Sequence, residues 1–310
     1  MKKVLTDSLR DCPIEEAKQL LENVQFVQIK PDELESYSNN TDVYAIVGSR
    51  SLVRKAEKVY MPNCKFIQLF STGYDDIDPI QFRKKGIDLS NAKSIYDETL
   101  AEYVLLVMLK YAKRYHKSMK NGMFRPLRNY HYITELEGKT VGIMGVGQIG
   151  SKVARLLSGF NMRIVGFANK TKEKALFDKV YHQDTIHDFL GECDFVINTL
   201  PHSEQTIGLL DEERFSMMKD TVVFINIGRE SIYKKKDMLY FFNTHRDATA
   251  ILDIFELIPN PFSKLHRLSN IYITPRVAAI SQESDDRLKE LILKNLQAYF
   301  EGKKPQFVIN

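Results

Sequence analysis

Three glycines, Gly145, Gly147 and Gly150, give the clearest chemical signal in this sequence. They follow an apolar run over residues 140–144 and lead into a helix-like segment over residues 151–158. In a G-x-G-x-x-G turn, the first glycine makes the tight turn and the second lets the backbone approach a pyrophosphate. The third lets the helix pack close to the strand, so that the amino end of the helix faces the negative charge. Because strand, turn and helix occur in this order, the sequence predicts a dinucleotide-binding site.

The elements that must position this turn alternate along both halves of the chain. Short apolar runs suited to buried parallel strands are separated by charged, helix-like segments. The predicted strands are 24–29, 43–47, 66–70, 87–89, 140–144, 163–167, 195–199, 222–227, 250–254 and 271–274. The main predicted helices are 13–22, 100–110, 211–218, 236–242 and 284–300. Strands joined through helices require crossovers, so we expect an α/β protein with parallel sheets.

The composition narrows the classes of partner. The 310 residues suffice for two domains, and the formal net charge of +4 with one short basic run gives no support for nucleic-acid or membrane partners. Cys12, Cys64 and Cys193 are scattered, which argues against a disulfide framework or a metal site and predicts a reducing, cytoplasmic environment. The start of the chain turns polar at once and no apolar run has membrane-spanning length, so we expect neither a signal peptide nor a membrane span.

Motif-like segments recur along the whole chain: 71–78 (STGYDDID), 99–102 (TLAE), 136–140 (LEGKT), 200–202 (LPH), 218–219 (MK), 226–229 (NIGR), 252–255 (LDIF) and 274–279 (TPRVAA). In these segments the chain resembles, over nearly its full length, the D-2-hydroxyacid dehydrogenase family, in particular its glyoxylate/hydroxypyruvate reductase-like members. The resemblance implies a substrate domain of residues 1–98 with 282–310 and a dinucleotide-binding domain of residues 99–281. It further implies two Rossmann-like domains with doubly wound parallel sheets, joined by crossing helices with the active-site cleft between them. Because family members are commonly dimers, we expect a homodimer.

The resemblance also assigns site residues. The expected cofactor contacts are Gly145, Gly147, Gln148, Ile149, Gly150, Asn169, Lys170, Thr171, Leu200, Pro201, Ile227, Gly228 and Asp253. The expected contacts to a small anionic 2-oxo or 2-hydroxy acid are Arg50, Thr72, Gly73 and Arg229. The expected catalytic positions are Arg229 and Arg276.

The family's reaction moves a hydride between a nicotinamide and the carbon that bears oxygen in the acid. An arginine grips the carboxylate and carbonyl, a histidine passes the proton, and a glutamate holds that histidine. Arg229 matches the arginine, and its planar guanidinium suits a carboxylate through two parallel hydrogen bonds. The alternative for Arg229 is a surface arginine in an ion pair.

The other two catalytic positions depart from the family pattern. In the pattern Leu-Asp-Val-Phe-x-x-Glu-Pro, Ile258 takes the place of the glutamate when Pro259 is aligned. In the pattern Thr-Pro-His, Arg276 takes the place of the histidine. The two losses fit together, because a glutamate that holds an imidazolium has nothing to hold once the histidine is gone.

Arg276 cannot relay a proton as histidine does, because the pKa of arginine lies above about 12. Loss of general acid–base catalysis costs about 10² to 10⁴ in rate. The charge of Arg276 can still stabilise a developing alkoxide while water delivers the proton. His202, next to Pro201, is a further candidate for proton transfer, with a bystander role as its alternative.

The arginines also bear on the ligand. Arg229 and Arg276 without the offsetting carboxylate, together with Arg50 for a distal anionic group, favour a dianion such as a dicarboxylate or a phosphorylated acid. The alternative is that Arg276 forms an ion pair with a local acid and faces away from the ligand.

The cofactor preference follows from the end of the second strand after the glycines. Enzymes that use NAD usually place an acid there, about 20 residues beyond the turn, to bind the ribose 2′-hydroxyl. This chain has Ala168 at that position and no acid before Glu173. The missing carboxylate, with Asn169, Lys170 and Thr171 next, favours NADP over NAD, unless the loop is a solvated lysine segment that accepts both.

Two functions remain open. One is a reductase of the family's type with an altered proton donor. The other is a dinucleotide-binding pseudoenzyme that acts as a sensor or interaction protein with little turnover, which the residues Ile258 and Arg276 favour. The sequence does not specify which acid is bound.

Overall fold

The computed structural model describes residues 1–21, 23–114, 133–169, 175–254 and 268–310. Within these ranges the chain forms two compact units, Met1–Tyr96 with Ser281–Asn310 and Asp97–Ile280. The predicted site residues Lys170, Thr171 and Ile258 lie outside the described residues. Among the described helices, none is long and apolar enough to cross a membrane.

The helices fall into both units. In chain order they are α1 (Ile14–Leu20), α2 (Arg50–Ala56), α3 (Pro79–Lys84), α4 (Asp97–Ala112), α5 (Gln148–Leu157), α6 (Ile186–Glu192), α7 (Glu212–Ser216), α8 (Lys235–Thr244) and α9 (Gln282–Phe300). Helix α9 starts with reciprocal capping: the Ser281 hydroxyl oxygen accepts from the Ser284 amide at 3.0 Å, and the Ser284 hydroxyl oxygen accepts from the Ser281 amide at 3.1 Å.

The first unit contains a parallel sheet with apolar clusters on both faces. Its strands are β1 (Lys2–Thr6), β2 (Val24–Gln28), β3 (Val43–Gly48), β4 (Phe66–Leu69) and β5 (Asp88–Ser90), which lie in the order β2-β1-β3-β4-β5. Alternate residues of a strand face opposite sides. On β3, Ile46 therefore packs with Leu5 in one cluster, while Ala45 and Val47 pack in the other, which includes Ile292 of α9.

The second unit contains a longer parallel sheet. Its strands are β6 (Thr140–Met144), β7 (Arg163–Phe167), β8 (Lys179–Tyr181), β9 (Phe195–Asn198), β10 (Val223–Asn226), β11 (Thr249–Leu252) and β12 (Ile271–Ile273), in the order β12-β11-β10-β9-β6-β7-β8. The chain lays down β7 and β8 on one side of β6 and then returns to place β9 on the other. This reversal creates a crevice between β6 and β9 at the carboxyl ends of the strands, where open α/β sheets bind ligands.

Helices cover both faces of this second sheet. On one face, Val104 and Met108 of α4 and Val153 of α5 pack with Ile143 of β6. The opposite face is aromatic: Phe215 of α7 packs with a set of phenylalanines comprising Phe224, Phe241 and Phe242. The buried strand β6 is thus held from both sides, which gives the turn that follows it a rigid base.

The predicted α/β class with parallel sheets is confirmed. The sequence patterns do not predict β1 or β8, because each begins with lysine and has only two apolar residues. The first helix, expected over 13–22, spans Ile14–Leu20 among the described residues, and the last begins at Gln282 instead of 284 because Ser281 caps it.

Candidate functional site

The carboxyl-end loops of the second sheet carry most of the predicted cofactor contacts. Because all strands of this sheet are parallel, these loops lie along one edge. They are the turn 145–150 after β6, residues 168–169 after β7, 199–201 after β9, 227–229 after β10, Asp253 after β11 and 274–278 after β12. The described part of the chain therefore brings the glycine turn, Leu200, Gly228 and Asp253 to the same edge.

The glycine turn is held across the crevice between β6 and β9. Gly145 has a φ of +100°, a backbone conformation that favours glycine, and its amide donates to the Phe167 carbonyl at 2.8 Å. The Thr199 hydroxyl lies 2.9 Å from the Met144 carbonyl and 3.1 Å from the Gly145 carbonyl, to which it donates. A Cβ on residue 145 would lie 2.6 Å from the Thr199 hydroxyl oxygen. Both conformation and space therefore require glycine here.

The other two glycines have different environments. A Cβ on Gly150 would lie 1.9 Å from the Gly145 carbonyl oxygen, so a side chain would force the helix away from the turn. A Cβ on Gly147 would meet nothing within 4 Å, and Gly147 is the N-cap of α5 with no side chain to cap the helix. A pyrophosphate can occupy the position that a capping side chain would otherwise fill. The turn therefore fits a dinucleotide, as the sequence predicts.

Arg229 follows β10 and is half-buried. Its Nη1 donates to the Gly228 carbonyl at 2.9 Å. Its own backbone carbonyl accepts from the Asn226 side-chain amide at 3.1 Å. Anchored backbone and a locally bonded guanidinium place this cation on the same edge as the glycine turn. The motif analysis identified Arg229 but not the asparagine that holds it; an asparagine at the end of each of two consecutive buried strands was the available signal.

Asp253 organises the loop after β12. The carboxylate is only 3% exposed. Its Oδ1 accepts from the Thr274 hydroxyl at 2.6 Å and from the Val277 amide at 2.9 Å, and its Oδ2 accepts from the Ala278 amide at 3.2 Å. Asp253 was predicted as a cofactor contact; its geometry gives it a demonstrable role in holding the loop that carries Arg276.

Tyr103 of α4 extends this arrangement. Its hydroxyl lies 2.7 Å from the Thr274 hydroxyl. Burial raises the pKa of the Tyr103 hydroxyl above its ordinary value, with the hydrogen bond to Thr274 acting in the opposite direction. Tyr103 is therefore a neutral hydrogen-bonding group near neutral pH, and the Thr274 hydroxyl is bonded to both Tyr103 and Asp253.

Arg276 lies at the exposed tip of this loop. Its φ is +56°, in the left-handed region, and its amide donates to the Thr274 carbonyl at 2.9 Å. Among the described residues, no aspartate or glutamate lies within ion-pair distance of its guanidinium. A buried carboxylate thus holds an exposed cation in a defined position without neutralising it directly.

The end of β7 carries the groups expected to meet the ribose. Ala168 is half-buried, and its carbonyl lies 2.8 Å from Nδ1 of His182. Asn169 is exposed and donates to the Gln205 side-chain oxygen at 2.7 Å. The two residues that directly follow β7 in the described chain thus offer neutral side chains where enzymes that use NAD usually place an acid.

The predicted substrate contacts of the first unit lie at the carboxyl ends of its strands. The Thr72 hydroxyl donates to the Ala92 carbonyl at 2.8 Å, and the Gly73 carbonyl accepts from the Ser71 hydroxyl at 2.8 Å. The guanidinium of Arg50 lies 3.3 Å from Asp76 and 3.9 Å from Asp75, in the same loop. Arg50 is therefore an ion-paired residue, which the spacing of its motif does not predict.

Other titratable groups contribute less. His202 is exposed and its Nδ1 lies 2.8 Å from the Ser231 hydroxyl. Among the described residues, no group of three or more His, Cys, Asp or Glu side chains could hold a metal ion.

Comparisons with known proteins agree with these features. The family model for the NAD-binding domain of the D-isomer specific 2-hydroxyacid dehydrogenases matches residues 103–278. Glyoxylate reductases of Pyrococcus horikoshii and Pyrococcus furiosus are 30% and 29% identical over 259 residues, which is 80% of this chain and 77% and 76% of theirs. The solved NADPH-dependent glyoxylate/hydroxypyruvate reductase from Sinorhizobium meliloti, with citrate, has a TM-score of 0.82 at 22% identity over 100% of this chain and 97% of that one. This last likeness establishes the fold alone.

Proposed function

We propose, since the chain belongs to the D-isomer specific 2-hydroxyacid dehydrogenase family, that it reduces a small 2-oxo acid by hydride transfer from a nicotinamide cofactor. The family is one of NAD(P)-binding oxidoreductases. The observation that carries the proposal is Arg229: an anchored, half-buried cation lies on the same strand edge as the glycine turn. An oxidoreductase of this class needs an anion-binding group beside its cofactor, whereas a simple dinucleotide sensor does not.

The residues of the second unit fit the cofactor. Gly147 and the amino end of α5 would hold the pyrophosphate, with Leu200 and Gly228 on the neighbouring loops. When bound, the nicotinamide supplies the hydride that reduces the keto carbon. We further propose NADP as the preferred form, because Ala168 and Asn169 offer no carboxylate to repel a 2′-phosphate. The roles of 1–98 with 282–310 as substrate domain and of 99–281 as dinucleotide domain belong to the same proposal, as do a homodimer and a cytoplasmic location.

Arg229 would hold the carboxylate and polarise the keto oxygen of the acid. Its fork of N–H donors suits two parallel hydrogen bonds, and the cation lowers the energy of the alkoxide that develops during reduction. Arg276, carried by the Asp253-organised loop, would add a second positive charge without giving up a proton. Water would then donate the proton to the alkoxide.

Two cations, Arg229 and Arg276, on the loops of one strand edge favour a dianionic substrate, such as a dicarboxylate or a phosphorylated acid. Arg50, proposed for the distal anionic group, already lies 3.3 Å from Asp76, so an incoming anion must compete with that carboxylate. If Arg276→Ala leaves the affinity for monoanionic and dianionic acids equally unchanged, the dianion proposal fails.

A pseudoenzyme with little turnover is the second candidate. What favours it is that, by the resemblance in sequence, Arg276 aligns with the family's histidine and Ile258 with its glutamate. The glycine turn would then serve to sense or store the dinucleotide. Asp253 nevertheless accepts three hydrogen bonds from the loop that carries Arg276, and a loop without a function does not require such an arrangement.

The test is oxidation of NADPH and NADH by the purified protein across a panel of 2-oxo acids that includes glyoxylate, hydroxypyruvate, oxaloacetate and phosphorylated acids. Arg229→Ala should lower kcat/KM by about 10² to 10³. Arg246→Ala is the matched control, because Arg246 is an exposed arginine bonded to Asn243 that precedes β11, at the amino-terminal edge of the sheet and not among the carboxyl-end loops. Cofactor binding by nicotinamide fluorescence without turnover of any acid would replace the reductase with the pseudoenzyme.

A further inference from the structure

Two buried asparagines form a side-chain pair beneath the cofactor loops. Asn198 ends β9 and Asn226 ends β10, and the two residues are direct partners in the register of the parallel sheet. Both are fully buried. Nδ2 of Asn198 donates to Oδ1 of Asn226 at 2.8 Å. We call this unit the asparagine pair.

The asparagine pair also binds the backbone of the two following loops. Oδ1 of Asn198 accepts from the Leu200 amide at 3.1 Å, and Oδ1 of Asn226 accepts from the Gly228 amide at 3.1 Å. Nδ2 of Asn226 donates to the Arg229 carbonyl at 3.1 Å, and Nδ2 of Asn198 lies 3.5 Å from the same oxygen. One side-chain unit therefore ties together the loop after β9 and the loop that carries Arg229.

Gly228 completes this arrangement. A Cβ on residue 228 would lie 2.8 Å from Nδ2 of Asn198 and 2.9 Å from the Leu200 carbonyl oxygen. The loop after β10 can thus approach the asparagine pair this closely only because residue 228 is glycine. The close approach brings the Arg229 carbonyl within reach of both side-chain amides.

If the packing of the sheet alone determined the residue type at position 198, an apolar residue would be expected there. The preceding residues Phe195, Val196 and Ile197 are buried in the core, as expected for a central parallel strand. A buried amide without partners costs about 1–3 kcal/mol, and a fully bonded buried network is rigid because each bond strengthens in low dielectric. The asparagine pair is fully bonded, so its consequence is a fixed geometry of the two loops.

We propose that Asn198 is a positioning residue, which acts through Asn226 and Gly228 to hold Arg229 in register with the loop that contacts the cofactor. This inference rests on the proposed function in one respect, the role of Arg229 toward the acid. A displacement of about 1 Å at such a group can cost about 10²-fold in rate. The fold of the sheet itself does not depend on Asn198, since its backbone bonds are those of the strand.

The test compares Asn198→Leu with Asn270→Leu. Asn270 is a second buried asparagine, 6% exposed, whose Nδ2 donates to the carbonyls of Phe242 and Ala248 at 2.9 and 2.8 Å, before β12 and not in a carboxyl-end loop. Both variants should lower the melting temperature. Asn198→Leu should also raise the KM for the acid and lower kcat/KM about 10- to 100-fold, whereas Asn270→Leu should leave both within about twofold. Equal kinetic losses in the two variants would reduce Asn198 to a structural residue and overturn the proposal.

Asn198→Asp provides an isosteric second variant. A carboxylate at this position cannot donate to Oδ1 of Asn226, but a protonated carboxyl can. We expect kcat/KM of Asn198→Asp to recover as the pH falls relative to the wild type. If kcat/KM of Asn198→Asp instead equals that of the wild type at every pH, Asn198 has no positioning role.

Amide hydrogen exchange separates this inference from the proposed function. In Asn198→Leu, the amides of segments 198–200 and 226–229 should lose about tenfold or more in protection, and those of the sheet strands should not. This result would support the inference even if the wild-type protein reduces no acid. Unchanged protection in 226–229 would overturn it whether or not the protein is an active reductase.

Discussion

The glycine turn after β6 and the loop after β12 differ in which part of the chain forms the candidate site: the backbone at the turn and a side chain at the loop. At the turn, the backbone determines the structure: Gly145 and Gly150 are required by conformation and close packing, and the amino end of α5 has no capping side chain. At the loop, a side chain provides the candidate functional group. Arg276 is exposed at a left-handed position, and the Asp253 carboxylate accepts from the backbone amides that follow it. Backbone features tolerate almost no substitution, whereas an exposed side chain on a secured loop can change while the loop stays.

Under the proposed function, this difference would explain how the chain keeps a cofactor site while its proton chemistry changes. Arg276 occupies its position without disturbing Asp253, Thr274 or Ala278, all of which bind through backbone or through one another. If Arg276 stands in place of the family's histidine, as proposed, the replacement changes charge and acidity at one point of the site. The comparison predicts that the proton function can be rebuilt by side-chain exchange, while the glycine turn cannot be altered.

The largest expected effect is a gain. Arg276→His combined with Ile258→Glu should raise kcat for reduction of a 2-oxo acid by about 10² to 10⁴, because a general acid would replace water as the proton source. Steady-state oxidation of the cofactor measures it. Arg276→His alone is the control and should gain less, since its imidazole would lack a carboxylate to hold it. No gain in the double variant would mean that Arg276 does not stand at the proton-donor position.

The next largest expected effects are losses of stability or of cofactor binding at the glycines. Gly150→Ala should lower the free energy of unfolding by about 3 kcal/mol, because the new methyl group meets the Gly145 carbonyl. Gly147→Val should leave stability nearly unchanged, because a Cβ there meets nothing within 4 Å, yet it should abolish cofactor binding. Gly159→Ala is the control, with open space at its Cβ and no cofactor role.

Urea unfolding and nicotinamide fluorescence separate these two effects. The comparison fails if Gly147→Val binds the dinucleotide as the wild type does, since that would exclude Gly147 from the phosphate site.

Features formed by residues close in sequence could be predicted better than contacts between residues distant in sequence. The glycine turn could be predicted because strand, turn and helix are contiguous in sequence, and Arg229 could be predicted from its motif. The asparagine pair could not, because residues 198 and 226 meet only once the register of β9 and β10 is known. The ion pair of Arg50 with Asp76 likewise depends on how the loops after β3 and β4 meet. Long-range pairing is set by topology, which residue spacing does not encode.

A smaller effect is expected where the loop is secured. Asp253→Asn replaces one acceptor oxygen with a donor that faces the Val277 or Ala278 amide or the Thr274 hydroxyl, so at least one bond must be lost. The free energy of unfolding should fall by about 1–3 kcal/mol. Hydrogen exchange at 274–278 should rise in parallel, while cofactor affinity changes little. A large loss of cofactor affinity with an unchanged loop would instead make Asp253 a direct cofactor contact.

The smallest expected effect concerns the cofactor's ribose. Ala168→Asp should weaken NADPH binding about tenfold and leave NADH binding unchanged or tighter, because a carboxylate after β7 repels a 2′-phosphate but accepts from a 2′-hydroxyl. Ala168→Asn is the matched control: it has nearly the same shape, no charge, and should shift the ratio of the two dissociation constants far less. Fluorescence titration of both variants with both cofactors measures that ratio. If Ala168→Asp and Ala168→Asn alter it equally, the effect is steric, and the end of β7 does not read the phosphate through charge.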